Sequence, residues 1–128
     1  MIKIILTSVL VDDQDKALKF YTEVLGFIKK TEFPMGKYKW LTVVSPDSLN
    51  GVELTLEPNE NPLASTFQKG LFNSGIPATA FGVDDIQKEY ERMKNLGVVF
   101  KTKPTQTGPI TIAMFEDTCG NLIQLVQM

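Results

Sequence analysis

Apolar and polar residues follow two periods along this chain, and the two periods alternate in the same order twice. Residues 3–11 are rich in Ile, Leu and Val and read as a strand. Asp12-Asp13 closes it. Ala17, Leu18, Phe20, Tyr21, Val24 and Leu25 then recur at the spacing of one helical face. Gly26 follows, where a helix can end in the left-handed conformation that glycine adopts freely. Beyond it the pattern shortens to that of strands, at 27–33, 38–44 and 52–56, with turn chemistry at Met35-Gly36 and Pro46-Asp47.

The second half repeats this order. A strand is expected at 78–83, Asp84-Asp85 follows, and Ile86, Tyr90, Met93 and Leu96 form a helical stripe that stops at Gly97. Strands follow at 98–102, 110–115 and 122–126, the last two separated by a turn at Cys119-Gly120-Asn121. Val11 and Val83 are 72 residues apart and Gly26 and Gly97 are 71 apart, so one single-residue indel aligns both ends. Each Asp pair stands where a side-chain oxygen caps the first free amides of a helix, a more economical role than paired catalytic carboxylates. The expected organisation is a first βαβββ unit over 1–57, a linker over 58–77 and a second βαβββ unit over 78–128. The linker holds Pro58, Asn59, Asn61, Pro62, Gly70, Asn73 and Gly75, and is expected to be partly helical, with Leu63, Phe67, Leu71 and Phe72 in one short amphipathic turn.

This order predicts an α+β fold. One helix covers only one face of a four-stranded sheet, so the other face must be used. Two such sheets are expected to form a curved mixed-sheet trough with the helices outside, a natural place for a small ligand. A second copy of the chain is expected to cover the exposed strand edges, giving a homodimer.

Composition narrows the function. Of 128 residues, 43% are hydrophobic and 22% charged, a globular balance with no run long enough to span a bilayer. Residues 1–11 read as a strand rather than a secretory leader, because Asp12-Asp13 follows without a cleavage site. The net charge is −2 and Arg92 is the one arginine, which argues against nucleic acid as a partner. The scattered lysines argue against a membrane surface. Cys119 has no partner for an internal disulfide, consistent with a cytoplasmic protein, and no base or cation accompanies it in the sequence. Histidine is absent altogether, which removes Ser-His-Asp and Cys-His catalysis and every histidine-ligated metal.

The ordered pieces resemble the vicinal oxygen chelate superfamily of glyoxalase I, bleomycin-resistance proteins and extradiol dioxygenases. They are Val11-Asp12-Asp13 through Ala17, Phe20-Tyr21, Leu25-Gly26-Phe27, Phe81-Gly82-Val83-Asp84-Asp85-Ile86, Leu96-Gly97-Val98-Val99-Phe100 and Asp117-Thr118-Cys119-Gly120-Asn121-Leu122-Ile123. Enzymes of that superfamily hold a divalent metal with one side chain from the first strand and one from the last strand of each unit. The resemblance carries those positions onto Leu6 and Glu53 in the first unit and Ala78 and Gln124 in the second. Two are apolar and one is a neutral amide, too thin a set for a zinc or magnesium site. No metal and no cofactor is therefore expected.

A polar spot in an apolar trough remains. Strand alternation puts Glu53 and Thr55 on one face and Leu122, Gln124 and Val126 on another. The resemblance implies that both faces line the trough, and the ligand-contacting set it gives is Glu53, Gln124, Trp40, Leu6, Ala78, Thr42 and Thr55, with an indole to stack on a flat molecule and a carboxylate to meet a cation. Glu53 at a solvated mouth or paired with a lysine, Gln124 as an ordinary strand residue, and Trp40 as core are the plainer readings of the same residues. Tyr21 and Tyr90 are read as packing residues of their helices. The expected function is metal-free binding of a small, partly aromatic or cationic molecule. The alternatives are a metal-dependent lyase or dioxygenase with an atypical oxygen-rich site, and a structural or interaction domain with a collapsed cavity. Catalytic residues are not assigned.

Overall fold

The computed structural model describes all 128 residues, which divide into two compact units, Met1–Ser65 and Thr66–Met128. The first unit carries β1 (Leu6–Val11), α1 (Gln14–Lys19), β2 (Ile28–Met35), β3 (Tyr38–Val44) and β4 (Glu53–Pro58). A helix α2 (Pro62–Asn73) crosses the division. The second unit carries β5 (Thr79–Gly82), α3 (Ile86–Asn95), β6 (Phe100–Thr107), β7 (Ile110–Glu116) and β8 (Leu122–Gln127). The sheets have the orders β1-β4-β3-β2 and β5-β8-β7-β6. In each, the first strand runs parallel to the last and the remaining pairs are antiparallel. The parallel pair follows from the helix between the first two strands of each unit, because a crossover must return the chain to the same end.

Both helices begin on the second aspartate of their pair. Asp13 accepts from the Lys16 amide and Asp85 from the Lys88 amide, each at 3.1 Å. Both stop at glycines in the left-handed region, Gly26 at φ 84° and Gly97 at φ 91°. The first helix is not uniform: α1 widens into a π-helical turn over Phe20–Val24, with the Leu25 amide donating to the Phe20 carbonyl. That turn faces Phe20 and Tyr21 into the core, where both are buried.

Alternation sorts each sheet. Val9 and Val11 of β1, Leu41 and Val43 of β3 and Leu54 and Leu56 of β4 are buried with Ala17 and Tyr21. Ala113, Phe115, Ile123 and Leu125 are buried with Ile86 and Met93 of α3. Each fully buried aliphatic side chain contributes about 1.5–3 kcal/mol.

Three elements differ from the pattern-based expectation. The first strand begins at Leu6 rather than Lys3. Met1, Ile2, Ile4 and Ile5 are exposed, since β4 starts at Glu53 and only the Ile5 carbonyl finds a partner, the Glu53 amide. The linker forms a 12-residue helix, not a single turn, despite Gly70 within it. The sixth strand runs past Pro104 to Thr107. Its ladder shifts register between Thr102 and Thr105, which accommodates a proline on an edge strand.

Candidate functional site

The face of the first sheet that turns away from α1 carries most of the expected residues. Leu6 is registered against Glu53 across the parallel β1–β4 pair, and Thr42 against Thr55 across β3–β4. Thr42 and Thr31 both donate hydroxyl hydrogen bonds to Glu53 Oε1, at 2.5 and 3.1 Å. Glu53 is therefore neither a free surface carboxylate nor the partner of a lysine. It is half-buried and held by two hydroxyls, with Thr42 fully buried and Thr55 nearly so. Trp40 lies on the same face, half-buried, stacked on Phe33 with ring centroids 6.2 Å apart and planes 15° from parallel. A cavity of about 290 Å3 opens here, lined by Met35, Tyr38, Trp40, Thr55 and Glu57 among others.

On the second sheet, Gln124 is half-buried and registered against Met114 and Ala80. Ala78 lies two residues before Ala80, its amide donating to the Leu122 carbonyl. The register partner of Gln124 is thus Ala80 rather than Ala78, a two-residue offset from the first unit, where Leu6 stands directly beside Glu53. Both candidates are alanines, so the chemistry is unchanged. A cavity of about 480 Å3 lies between Phe72 and Gly75 on one side and Thr102, Met114 and Leu122 on the other.

The residues do not fit the superfamily's metal. Leu6 and both alanines carry no donor atom, and no three His, Cys, Asp or Glu side chains are placed to hold one metal ion together. Cys119 is buried, and Asp117 beside it is committed to its own turn, accepting from the amides of Cys119 and Asn121 at 2.8 and 3.0 Å.

Sequence reasoning missed several residues that shape this region. Thr31, which helps hold Glu53, lies beside a register shift in β2 that obscures its face. Gln14 was hidden in a helix start. Strands β3 and β4 pair only at Thr42–Thr55 and Val43–Leu54 and then separate. The Gln14 amide fills the gap, donating to the Lys39 and Leu56 carbonyls at 2.8 and 2.9 Å and accepting from the Lys39 amide at 3.2 Å. Beyond that gap lies a cavity of about 610 Å3 between the β1–α1 turn and the β2–β3 hairpin. Charged groups rim it. Lys29 and Lys39 hold the Glu32 carboxyl below the usual carboxylate range. Lys37 and the Tyr38 hydroxyl do the same to Glu60, which in turn raises both the Tyr38 phenol and the Lys37 ammonium.

Similarities to known proteins bear on this arrangement. The sequence profile of the Glyoxalase/Bleomycin resistance protein/Dioxygenase superfamily matches residues 3–125. The uncharacterized protein YurT of Bacillus subtilis (strain 168) is 63% identical over 125 residues, covering 98% of each chain. A probable lactoylglutathione lyase of Synechocystis sp. is 31% identical over 126 residues, covering 94% of this chain and 92% of its own. TnmS3, an antibiotic binding protein of Streptomyces sp. CB03234, superposes with a TM-score of 0.76 at 27% identity, over 99% of this chain and 96% of its own.

Proposed function

We propose that this chain, which belongs to the glyoxalase/bleomycin resistance protein/dioxygenase superfamily, binds a small, partly aromatic or cationic molecule on its Glu53 face without a metal. The observation that carries the reading is the pairing of a stacked aromatic step, Phe33 and Trp40, with a carboxylate oriented by Thr31 and Thr42 on one sheet face. A flat ligand gains area and ring contact on the step. A ligand cation gains a charge-assisted bond to a carboxylate whose geometry is already set. Both threonines converge on Oε1, so Oε2 is the oxygen this reading assigns to the ligand. Leu6, Thr42 and Thr55 complete that face, and the second unit offers Gln124 and Ala78 on its own. The cavity lined by Trp40 and Thr55 weighs against a collapsed interior. The likeness to TnmS3 supports a small-molecule ligand, with sequestration of a toxic compound as its use.

Trp40→Ala and Glu53→Gln are the informative variants. For a ligand identified by native mass spectrometry of the purified chain, or from a panel including bleomycin, each is expected to weaken binding about tenfold, near 1.4 kcal/mol. Calorimetric titration measures this, and parental affinity in both variants overturns the assignment.

The likeness to a probable lactoylglutathione lyase favours a second reading, a metal-dependent lyase. Divalent metals separate the two. A ligand that binds only the native state raises the unfolding midpoint with its concentration. No rise is expected with zinc, nickel, manganese, iron(II) or magnesium, and a saturable rise with any of them supports the lyase.

The chain is also proposed to act as a homodimer, a reading supported by the exposed Ile2, Ile4, Leu63 and Phe67. Sedimentation equilibrium at micromolar concentration is expected to give twice the chain mass, and a monomer mass overturns it.

A further inference from the structure

Given the binding role proposed for the Glu53 face, on which its own role rests, we infer that Gln14 is the specificity-determining residue of the cavity beside Trp40. By fixing how far β3 and β4 stand apart, it limits that site to a flat cation no broader than about two fused rings. The cavity of about 290 Å3 lies where the two strands part, with Tyr38–Trp40 of β3 on one side and Thr55–Pro58 of β4 on the other. Continuing the register of Thr42–Thr55 and Val43–Leu54 would set Lys39 opposite Pro58. Proline has no N–H to give the Lys39 carbonyl, so an ordinary exchange of backbone bonds cannot form there. Gln14, itself buried, supplies the missing donor. Its Nε2 donates to the carbonyls of Lys39 and Leu56, at 2.8 and 2.9 Å, and its Oε1 accepts from the Lys39 amide at 3.2 Å. One carboxamide therefore holds both strands, and its length sets their separation.

That separation bears directly on the ligand. Trp40 follows Lys39 in β3, so a shift of the Lys39 backbone away from Leu56 carries the Phe33–Trp40 step away from Thr55. Glu53 stands on β4, so the same shift lengthens the reach from ring step to carboxylate. The Lys39 ammonium also meets Asp15 at 2.6 Å, but Asp15 is exposed and such pairs hold little. The buried carboxamide is the stronger tie. The cavity stands at the lower end of the range of about 300–1,000 Å3 usual for small-molecule pockets, so a small change in width decides what enters. Gln14 does not touch the ligand in this arrangement. It is a positioning residue that acts through Lys39 and Trp40.

Specificity is a ratio of affinities, and a merely structural role would weaken every ligand alike. The full chain is titrated calorimetrically with two flat cations, tryptamine, with two fused rings, and 1-pyrenemethylamine, with four. The parent is expected to bind tryptamine at least about tenfold more tightly. Gln14→Ala removes the tie. Gln14→Met keeps the volume, loses all three bonds and serves as well should the alanine variant not fold. In both, the ratio is expected to fall at least about fivefold, through weaker tryptamine and undiminished 1-pyrenemethylamine binding. Without ligand, hydrogen exchange at the Lys39 amide is expected to quicken in both. A parent that binds the two cations equally overturns the role of Gln14. So does a ratio unchanged in both variants while Trp40→Ala and Glu53→Gln weaken tryptamine, a result that leaves the Glu53 face standing. Parental tryptamine affinity in Trp40→Ala and Glu53→Gln removes the face itself and the role of Gln14 with it. No saturable binding of tryptamine up to about 10 mM, weaker than almost any specific site, overturns the limit to such cations.

Discussion

Replacing Asp117 by alanine is expected to cost about 4 kcal/mol of folding stability. The carboxylate is fully buried and accepts three hydrogen bonds within its turn, from the Cys119 amide, the Asn121 amide and Asn121 Nδ2, at 2.8, 3.0 and 2.8 Å. Alanine leaves these donors without their acceptor, and a buried donor left unsatisfied costs about 1–3 kcal/mol. The three do not add fully, because a shortened side chain admits water to some of them. The turn also holds Thr118 at φ 65°, the one residue other than glycine in the left-handed region. A β-branched residue is strained there, and the bonds to Asp117 offset that strain. Urea unfolding checks the expectation through a lower midpoint at unchanged slope. Asp117→Asn, which keeps one acceptor oxygen, is expected to lose less than half as much. Equal stability of Asp117→Ala and the parent would show that water satisfies this turn as well as the carboxylate does.

Gly120→Ala is expected to cost about 3 kcal/mol through a different route. Gly120 has φ 100°, which an L-residue adopts only under strain of about 1–3 kcal/mol. An added Cβ would also lie 2.8 Å from Gln68 Nε2. Gln68 is a flexible side chain, but it cannot retreat freely. It is buried, and Nε2 donates to the Cys119 carbonyl and to Asn121 Oδ1, each at 3.1 Å. Moving it surrenders both bonds and loosens α2 from the β7–β8 turn, since Gln68 is the buried residue of that helix. Hydrogen exchange is expected to show the lost protection concentrated in α2 as well as in the turn. Full protection of α2 in the variant would contradict this latch. The two substitutions share Asn121 and Cys119, so their combined cost is expected to fall short of the sum.

The duplicated strand-helix-strand pattern was legible because it depends on short-range rules. Apolar period, aspartate caps and glycine stops all act within a turn or two of chain, and Asp13, Asp85, Gly26 and Gly97 stand where the pattern puts them. The misread stretches depend on distant partners. Ile2 and Ile4 have strand character, but no neighbouring strand reaches them. The prolines and glycines around α2 look like loop chemistry, while Gln68 finds partners more than fifty residues away. The same division holds for the candidate site. Alternation put Glu53 and Thr55 on one face, and only the family resemblance brought Trp40 and Thr42 to the same wall. The hydroxyl partners of Glu53, the Phe33–Trp40 stack and the cavity rimmed by Glu32 and Lys39 depend on register between strands, which a lone sequence does not display.

A sheet whose seam is sewn by backbone can be widened only by unpicking the ladder. Here one amide stitch, Gln14, fastens the parting of β3 and β4, with hollows bordering it on Lys39 and Pro58. Aperture thus becomes a property of a single rotatable group. Relatives bearing a shorter, longer or charged residue there would inherit a different doorway while every rung elsewhere stayed intact.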